Sequence, residues 1–156
     1  MDAETVTGDI LSQREIFIED DARTLYDKET RTALEQIEEF LPQLALGKFQ
    51  RHKQDQQIEN TWRKRGSADG KIDWRMSAHS IHNLVRGLAK PYVEAHLIVD
   101  VREIKVWKVA VVSDVPRNIA PGKILMQMGS RPVINCGDDA ICLLVTKPSF
   151  EPIVGS

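Results

Sequence analysis

Hydrophobic residues recur at helical spacing in the first third of the chain, after a stretch in which they loosely alternate with polar ones. Between Arg23 and Leu46 they form one stripe, made of Tyr26, Ala33, Ile37, Phe40, Leu41 and Leu44. This spacing predicts a long amphipathic helix that Gly47 ends. The preceding stretch, GDILSQREIFI, predicts a strand. Because one strand and one helix cannot enclose a core, we expect residues 1–46 to be the tail of a larger layered α/β unit.

The second half of the chain has one short helical pattern followed by several strand patterns. Ser77 is a suitable N-cap for the helix, and Pro91 stops it. The apolar face of this helix consists of Ile81, Leu84, Val85 and Leu88. Four strand-like runs follow, separated by turn residues: YVEAHLIVD, EIKVWKVAVVS, GKILMQM and PVINCGDDAICLLVTK. They predict a small antiparallel sheet or barrel, with CGDDA at the tip of its clearest hairpin.

Charge is distributed unevenly along the chain, although the formal net charge is only −2. Residues 1–46 have twelve acidic and four basic side chains, residues 47–65 have two and six, and residues 66–156 have nine and eleven. Residues 47–65 also lack any hydrophobic period, so they predict an extended connection between domains. A basic stretch of this kind is typical of a surface that meets an anion such as phosphate, and a solvated linker is the alternative.

Composition narrows the class of protein. With 156 residues, 42% of them hydrophobic and 28% charged, the chain can bury a core without disulfides or a structural metal. No apolar run is long enough to cross a bilayer, and the N-terminus lacks the pattern of a secretion signal. We therefore expect a cytoplasmic protein that is not embedded in a membrane. Cys136 and Cys142 lack metal-ligand spacing, so buried free thiols are expected rather than a disulfide or a zinc pair.

Five short motifs then point to one enzyme family. They are TGDILSQ followed by TLYDK, GKIDW, IHNLVRGLAKPY and IKVWKVAVV, and they span about residues 5–147. In these motifs the chain resembles the folate-dependent formyltransferases, which include methionyl-tRNA formyltransferase and the sugar-nucleotide N-formyltransferases. In the segments WRKRGSADGKIDWRMSA and KPYVEAH the chain more closely resembles the sugar enzymes. These enzymes formylate amino sugars for bacterial surface polysaccharide, including lipopolysaccharide.

The resemblance implies an α+β fold class and a division of the chain. Residues 1–46 would be the last strand and helix of a Rossmann-like catalytic domain, and residues 47–65 a basic interdomain linker. Residues 66–156 would form a small C-terminal OB-like antiparallel β domain. The intact family binds 10-formyltetrahydrofolate in its catalytic domain, so we expect no cofactor to be bound by this chain alone.

The resemblance also implies where the catalytic residues belong. The family's catalytic Asn and His lie far upstream, and its catalytic Asp directly precedes TGDI, where this sequence has Val6. An isopropyl group cannot accept a hydrogen bond or carry charge, so it cannot orient the histidine that takes a proton from the attacking amine. Asp9 and Glu4 lie too far along a strand to replace the missing carboxylate. No residue of this chain is therefore assigned a catalytic role.

One further departure from the family lies in PYVEAH, where Glu94 occupies a position at which the family usually has Gly. An L side chain would strain the backbone there if the position needs a positive φ. It would also be costly if the carboxylate were buried.

Trp62, Arg63, Lys64 and Arg65 are the candidate substrate-binding residues. An indole beside guanidinium and ammonium groups can stack on a base and bind a diphosphate. The competing interpretation places Trp62 between domains as a packing residue and leaves the cations solvated.

Other marked residues have structural interpretations. We expect Asp73 to accept hydrogen bonds in a turn and Trp74 to pack in the core of the small domain. His79 and His82 are spaced for one helix face, but no third metal ligand lies at a recognisable spacing. Trp107 is expected to be a sheet residue, and base stacking on an exposed sheet face is the alternative.

These observations give two functional hypotheses. In the first, the chain is the C-terminal part of a formyltransferase that transfers formyl from 10-formyltetrahydrofolate to a nucleotide-linked amino sugar, and it is inactive alone. In the second, it is a methionyl-tRNA formyltransferase C-terminal domain that acts as a tRNA-binding or interaction module. In both, the apolar face of helix 23–46 is expected to drive self-association.

Overall fold

The computed structural model describes residues 8–17, 21–58 and 60–149. The chain divides into two compact units, and the boundary between their main parts lies between Lys64 and Arg65. Val6, where the resemblance implies a catalytic Asp, lies outside the described residues, as does Glu4.

The first unit is built on α1 (Ala22–Ala45), which confirms the predicted long helix. Gly47 follows it with a φ of +66°, the left-handed conformation typical of a helix end. All residues of α1 are described, and none of them is buried. Tyr26, Ile37 and Leu41 of the predicted apolar stripe are about half exposed, at 57%, 44% and 53%. The stripe is therefore an apolar surface and not part of a core.

The strand predicted for GDILSQREIFI is wrong for its described residues, 8–17. Here Ile10 forms one isolated antiparallel bridge with His52, in which each backbone nitrogen donates to the other residue's carbonyl oxygen, at 2.8 and 2.9 Å. The rest of the segment contacts α1 through side chains, including an Arg14–Glu39 ion pair and a hydrogen bond of 2.7 Å from Gln36 Nε2 to Ser12 Oγ. A strand requires a neighbouring strand along its length, and a single bridge does not provide one.

The second unit contains a five-stranded antiparallel sheet, which confirms the predicted strands. Its strands are β1 (Ala95–Val99), β2 (Arg102–Val112), β3 (Ile124–Met128), β4 (Arg131–Asn135) and β5 (Ala140–Lys147). Their order across the sheet is β1-β2-β5-β4-β3. The CGDDA tip connects β4 to β5, as the sequence predicts. Because β2 and β5 are neighbours but far apart in sequence, the centre of the sheet depends on long-range pairing.

The core of the second unit lies between α2 (Ala78–Gly87) and one face of the sheet. Ser77 caps the helix as predicted, because its Oγ accepts a hydrogen bond of 3.0 Å from Ser80 N. Ile81 and Val85 on α2 are 0% and 2% exposed and belong to the same cluster as sheet residues Leu97, Val106 and Leu143. Truncating one such side chain to alanine typically costs about 2–5 kcal/mol.

Two positions at the edges of this core require glycine, because another backbone segment lies close to each of them. A Cβ on Gly137 would lie 2.3 Å from the carbonyl oxygen of Arg75. A Cβ on Gly70 would lie 2.5 Å from the carbonyl oxygen of Glu94. Real Cβ atoms do not approach backbone oxygens so closely, so both positions exclude any side chain unless the backbone moves.

A candidate anion-binding surface

The predicted substrate-binding residues lie in the chain segment that joins the two units. Trp62 is 80% exposed, and its Nε1 donates a hydrogen bond of 2.8 Å to Asn60 Oδ1. Arg63, Lys64 and Arg65 are exposed as well. The four side chains are therefore accessible to a ligand, and the indole is oriented by its neighbour Asn60.

A second group of basic residues lies within the sheet of the second unit, where the sequence did not predict a site. His96 in β1 is the register partner of Lys105 in β2, and Lys105 is the partner of Lys147 in β5. On the other side of β1, Lys71 forms an isolated parallel bridge with His96. These four residues, called the cationic row below, lie side by side across four neighbouring chain segments. With about 4.8 Å between segments, the row spans roughly 14 Å.

The cationic row lies on the face of the sheet opposite to α2. Side chains alternate between faces along a strand, and the residues on either side of Lys105 are Ile104 and Val106, which are 3% and 1% exposed. Ala95 and Leu97 flank His96 in the same way, with exposures of 0% and 4%. The hydrophobic neighbours point into the core, so the basic side chains point away from it.

Trp107 lies next to the cationic row and is itself covered by a cation. It is half-buried in β2, and Nζ of Lys90 lies 4.8 Å from the centroid of its ring. The exposed Lys108 follows it at a β-bulge in the pairing with β5. The Lys90 ammonium thus forms a cation–π contact with the ring, and an aromatic and a basic side chain lie together beside the cationic row.

The carboxylate of Glu94 opposes these cations. Oε2 of Glu94 is buried and lies 2.5 Å from Nζ of Lys105, an ion pair that holds the pKa of the lysine above its ordinary value, chiefly through its hydrogen bond to Glu94. Glu94 has a φ of +67°, so the strain expected for a side chain at this position is present.

The remaining marked residues have structural roles. Asp73 accepts hydrogen bonds from the side chain and then the backbone nitrogen of Arg75, which lower the pKa of its carboxyl to about 2. Trp74 packs against the core. The rings of His79 and His82 stack with centroids 6.3 Å apart, and burial lowers the pKa of His82. No group of three or more potential metal ligands occurs among the residues that the structure describes.

The chemistry of the cationic row suits an anion. Its three lysines supply hydrogen-bond donors and positive charge. Lys105 and Lys147 are like charges placed directly opposite each other, which is unfavourable without a counter-ion. Because the donors follow one line across the sheet, an extended ligand with repeated negative charges matches them better than a compact one.

Comparison with known proteins shows the family to which the chain belongs. The domain family described as formyl transferase, C-terminal domain, matches residues 64–153. The chain belongs to this formyltransferase family. A curated relative, the methionyl-tRNA formyltransferase of Caldanaerobacter subterraneus subsp. tengcongensis, is 37% identical over 147 residues, which is 92% of this chain and 46% of the relative. The chain spans about half the length of the curated relatives that it matches.

Solved structures share the fold of this chain. A variant of HypX from Aquifex aeolicus superposes with a TM-score of 0.68 at 19% identity, covering 92% of this chain and 25% of HypX. An N-formyltransferase from Helicobacter canadensis, in complex with folinic acid and dTDP-3-aminofucose, gives a TM-score of 0.65 at 17% identity, covering 88% of this chain and 50% of that enzyme. At these identities the likeness establishes the fold alone.

Among the described residues, no helix is both long enough and apolar enough to span a bilayer.

Proposed function

We propose that this chain is the acceptor-binding part of a formyltransferase and that it binds tRNA through the cationic row. The parent reaction is transfer of formyl from 10-formyltetrahydrofolate to a primary amine, and this part of the protein is inactive alone because Val6 replaces the family's carboxylate. The in-register alignment of Lys71, Lys105 and Lys147 is the observation on which the proposal rests.

The acceptor is proposed from the relatives. A protein 37% identical over almost the whole chain is a methionyl-tRNA formyltransferase, whereas the structure with a bound sugar nucleotide is only 17% identical. A tRNA backbone presents phosphates in series, which matches basic residues lined up across a sheet. The protein would act in the cytoplasm, where tRNA is found.

Titration of the full chain with bulk tRNA at several salt concentrations tests this proposal. Lys71→Gln and Lys147→Gln should each weaken binding and reduce the slope of log K against log salt by about one, because each removes one phosphate contact. Lys123→Gln is the matched control, since this exposed lysine directly precedes β3, the edge strand farthest from β1. An equal loss in all three variants, or no binding by the wild type, would refute the proposal.

The second candidate acceptor is a nucleotide-linked amino sugar, and the exposure of Trp62 favours it. An accessible indole followed by three basic residues can stack on a nucleobase and contact a diphosphate. Calorimetric titration with dTDP and with a dTDP-linked amino sugar tests this candidate. Heat that disappears in Trp62→Ala and in an Arg63→Ala, Arg65→Ala double variant would support the sugar enzyme, and heat retained in both would count against it.

The organisation of the chain is part of the proposal. We assign residues 1–46 to the catalytic domain, 47–65 to a linker and 66–156 to an OB-like C-terminal domain that presents the cationic row. The exposed stripe of α1 supports self-association, because an apolar surface of this kind is usually covered by another surface. Sedimentation at high concentration tests it, and a strictly monomeric profile would refute it.

A further inference from the structure

Glu94 holds the central cation of the row in an ion pair that the fold itself enforces. Its carboxylate oxygen Oε2 is buried and lies 2.5 Å from Lys105 Nζ, whereas the lysine side chain remains 43% exposed. The ammonium of Lys105 is therefore reached from solvent on one side and neutralised by Glu94 on the other.

The backbone around Glu94 is tightly constrained. Its φ of +67° is a conformation that residues other than glycine rarely adopt. Its carbonyl oxygen faces Gly70, where even one additional carbon would lie 2.5 Å away. Directly beyond these two residues, Ile72 N donates a hydrogen bond of 2.8 Å to His96 O, which joins the two segments. Strained conformations persist where the surrounding structure determines them, and they are concentrated at binding sites.

Resting on the proposed function, we propose that Glu94 is a built-in counter-ion of the cationic row that a ligand phosphate must displace from Lys105. Without ligand, the carboxylate offsets the repulsion between Lys105 and its register partner Lys147. When a phosphodiester approaches, it takes over Lys105 and leaves the carboxylate without its partner. Glu94 therefore lowers the affinity for every anion and favours ligands with several phosphates, since only these also engage Lys71 and Lys147.

The substitution Glu94→Gln tests this role because it keeps the size of the side chain and removes its charge. Binding of bulk tRNA to the full chain should become tighter, by roughly fivefold for a partly exposed ion pair. The salt slope should steepen by about one, because Lys105 then contributes a full contact. Glu94→Gly removes the charge together with the backbone strain, so it should give the same gain even if the glutamine variant folds poorly.

Glu103→Gln is the matched control. Glu103 also raises the pKa of Lys105, but only as a nearby charge. Its removal should give a clearly smaller gain in affinity than Glu94→Gln. Equal gains in affinity in the two variants would mean that removing any nearby negative charge is enough. This result would overturn the counter-ion role of Glu94.

The remaining outcomes separate this inference from the proposed function. If Lys71→Gln and Lys147→Gln weaken tRNA binding but Glu94→Gln leaves it unchanged, the counter-ion role is wrong and the proposed surface stands. If neither the wild type nor Glu94→Gln binds tRNA, both proposals are wrong. A separate test is the pKa of the Lys105 ammonium, measured by NMR without ligand. It should be lower in Glu94→Gln than in the wild type.

Discussion

Oδ1 of Asp138, at the tip of the β4–β5 hairpin, accepts a hydrogen bond of 2.7 Å from the backbone nitrogen of Ala78, the first residue of α2. It also accepts one of 2.6 Å from Asp139 N. A hairpin tip thus caps a helix that lies sixty residues earlier in the sequence. The cap joins the helical layer to the sheet, and it complements the local cap that Ser77 provides.

Replacement of Asp138 by alanine should destabilise the protein by about 1 kcal/mol at neutral pH, the usual effect of losing a cap. Asp138→Asn retains an acceptor oxygen and should cost less. Urea unfolding monitored by circular dichroism measures both. Equal stability of the alanine variant and the wild type would show that Ser77 alone suffices.

The contribution of Asp138 should also depend on pH. The backbone hydrogen bond from Ala78, followed by that from Asp139, lowers the pKa of Asp138 in the folded protein. Because the folded pKa is lowered, this stabilisation is present above the unfolded value of about 3.9 and is lost as the pH falls through the folded pKa. The stability difference between the wild type and Asp138→Asn should therefore shrink in acid, and a difference that grows there would contradict the assignment.

The turn between β1 and β2 offers a stabilising substitution. Asp100 and Val101 have φ values of +46° and +68°, as in the tight hairpin turn that favours Asn-Gly or Asp-Gly. Val101 is 98% exposed, so its side chain contributes no packing to offset the strain. Val101→Gly should raise the stability by about 1 kcal/mol, and Val101→Ala should gain little because it keeps a Cβ. Thermal unfolding of the three proteins checks this expectation.

Gly70→Ala should destabilise the second unit by about 1–3 kcal/mol, because the new Cβ would force the backbone of Glu94 to move. Gly66→Ala is the control, since nothing lies within 4 Å of the Cβ that it introduces. The denaturant concentration at the midpoint of unfolding is measured for both variants. A similar midpoint for both would show that the segments separate easily at this point.

Both cysteine thiols should resist alkylation and disulfide exchange in the folded protein. Burial raises the pKa of Cys136 to about 12, with a further contribution from Asp138, and burial also raises the pKa of Cys142. The reactive species is the thiolate, which is scarce near neutral pH for both residues. A thiol reagent should label neither cysteine rapidly in native buffer and both in denaturant. Rapid labelling of either thiol in native buffer would show that its burial is incomplete.

The helices and strands of the second unit can be predicted from the amino-acid sequence alone, because their patterns are local. The 3.6-residue period around Ile81 and Val85 and the alternation around Lys105 depend only on which face of an element is buried. The confirmed N-cap at Ser77 and the buried free thiols follow from similarly local arguments. Hydrophobic period also located α1 and its apolar stripe.

The candidate site and the conformation of residues 8–17 depend instead on tertiary contacts. The pairing of His96 with Lys105 follows from a short hairpin, but the pairing of Lys105 with Lys147 joins strands that are not consecutive, so no local pattern encodes it. GDILSQREIFI has the alternation of a strand, yet its described residues form one bridge because strand formation also requires a partner. The propensity to form a helix or strand depends on neighbouring residues. Which strands pair, and in which register, depends on packing across the whole unit.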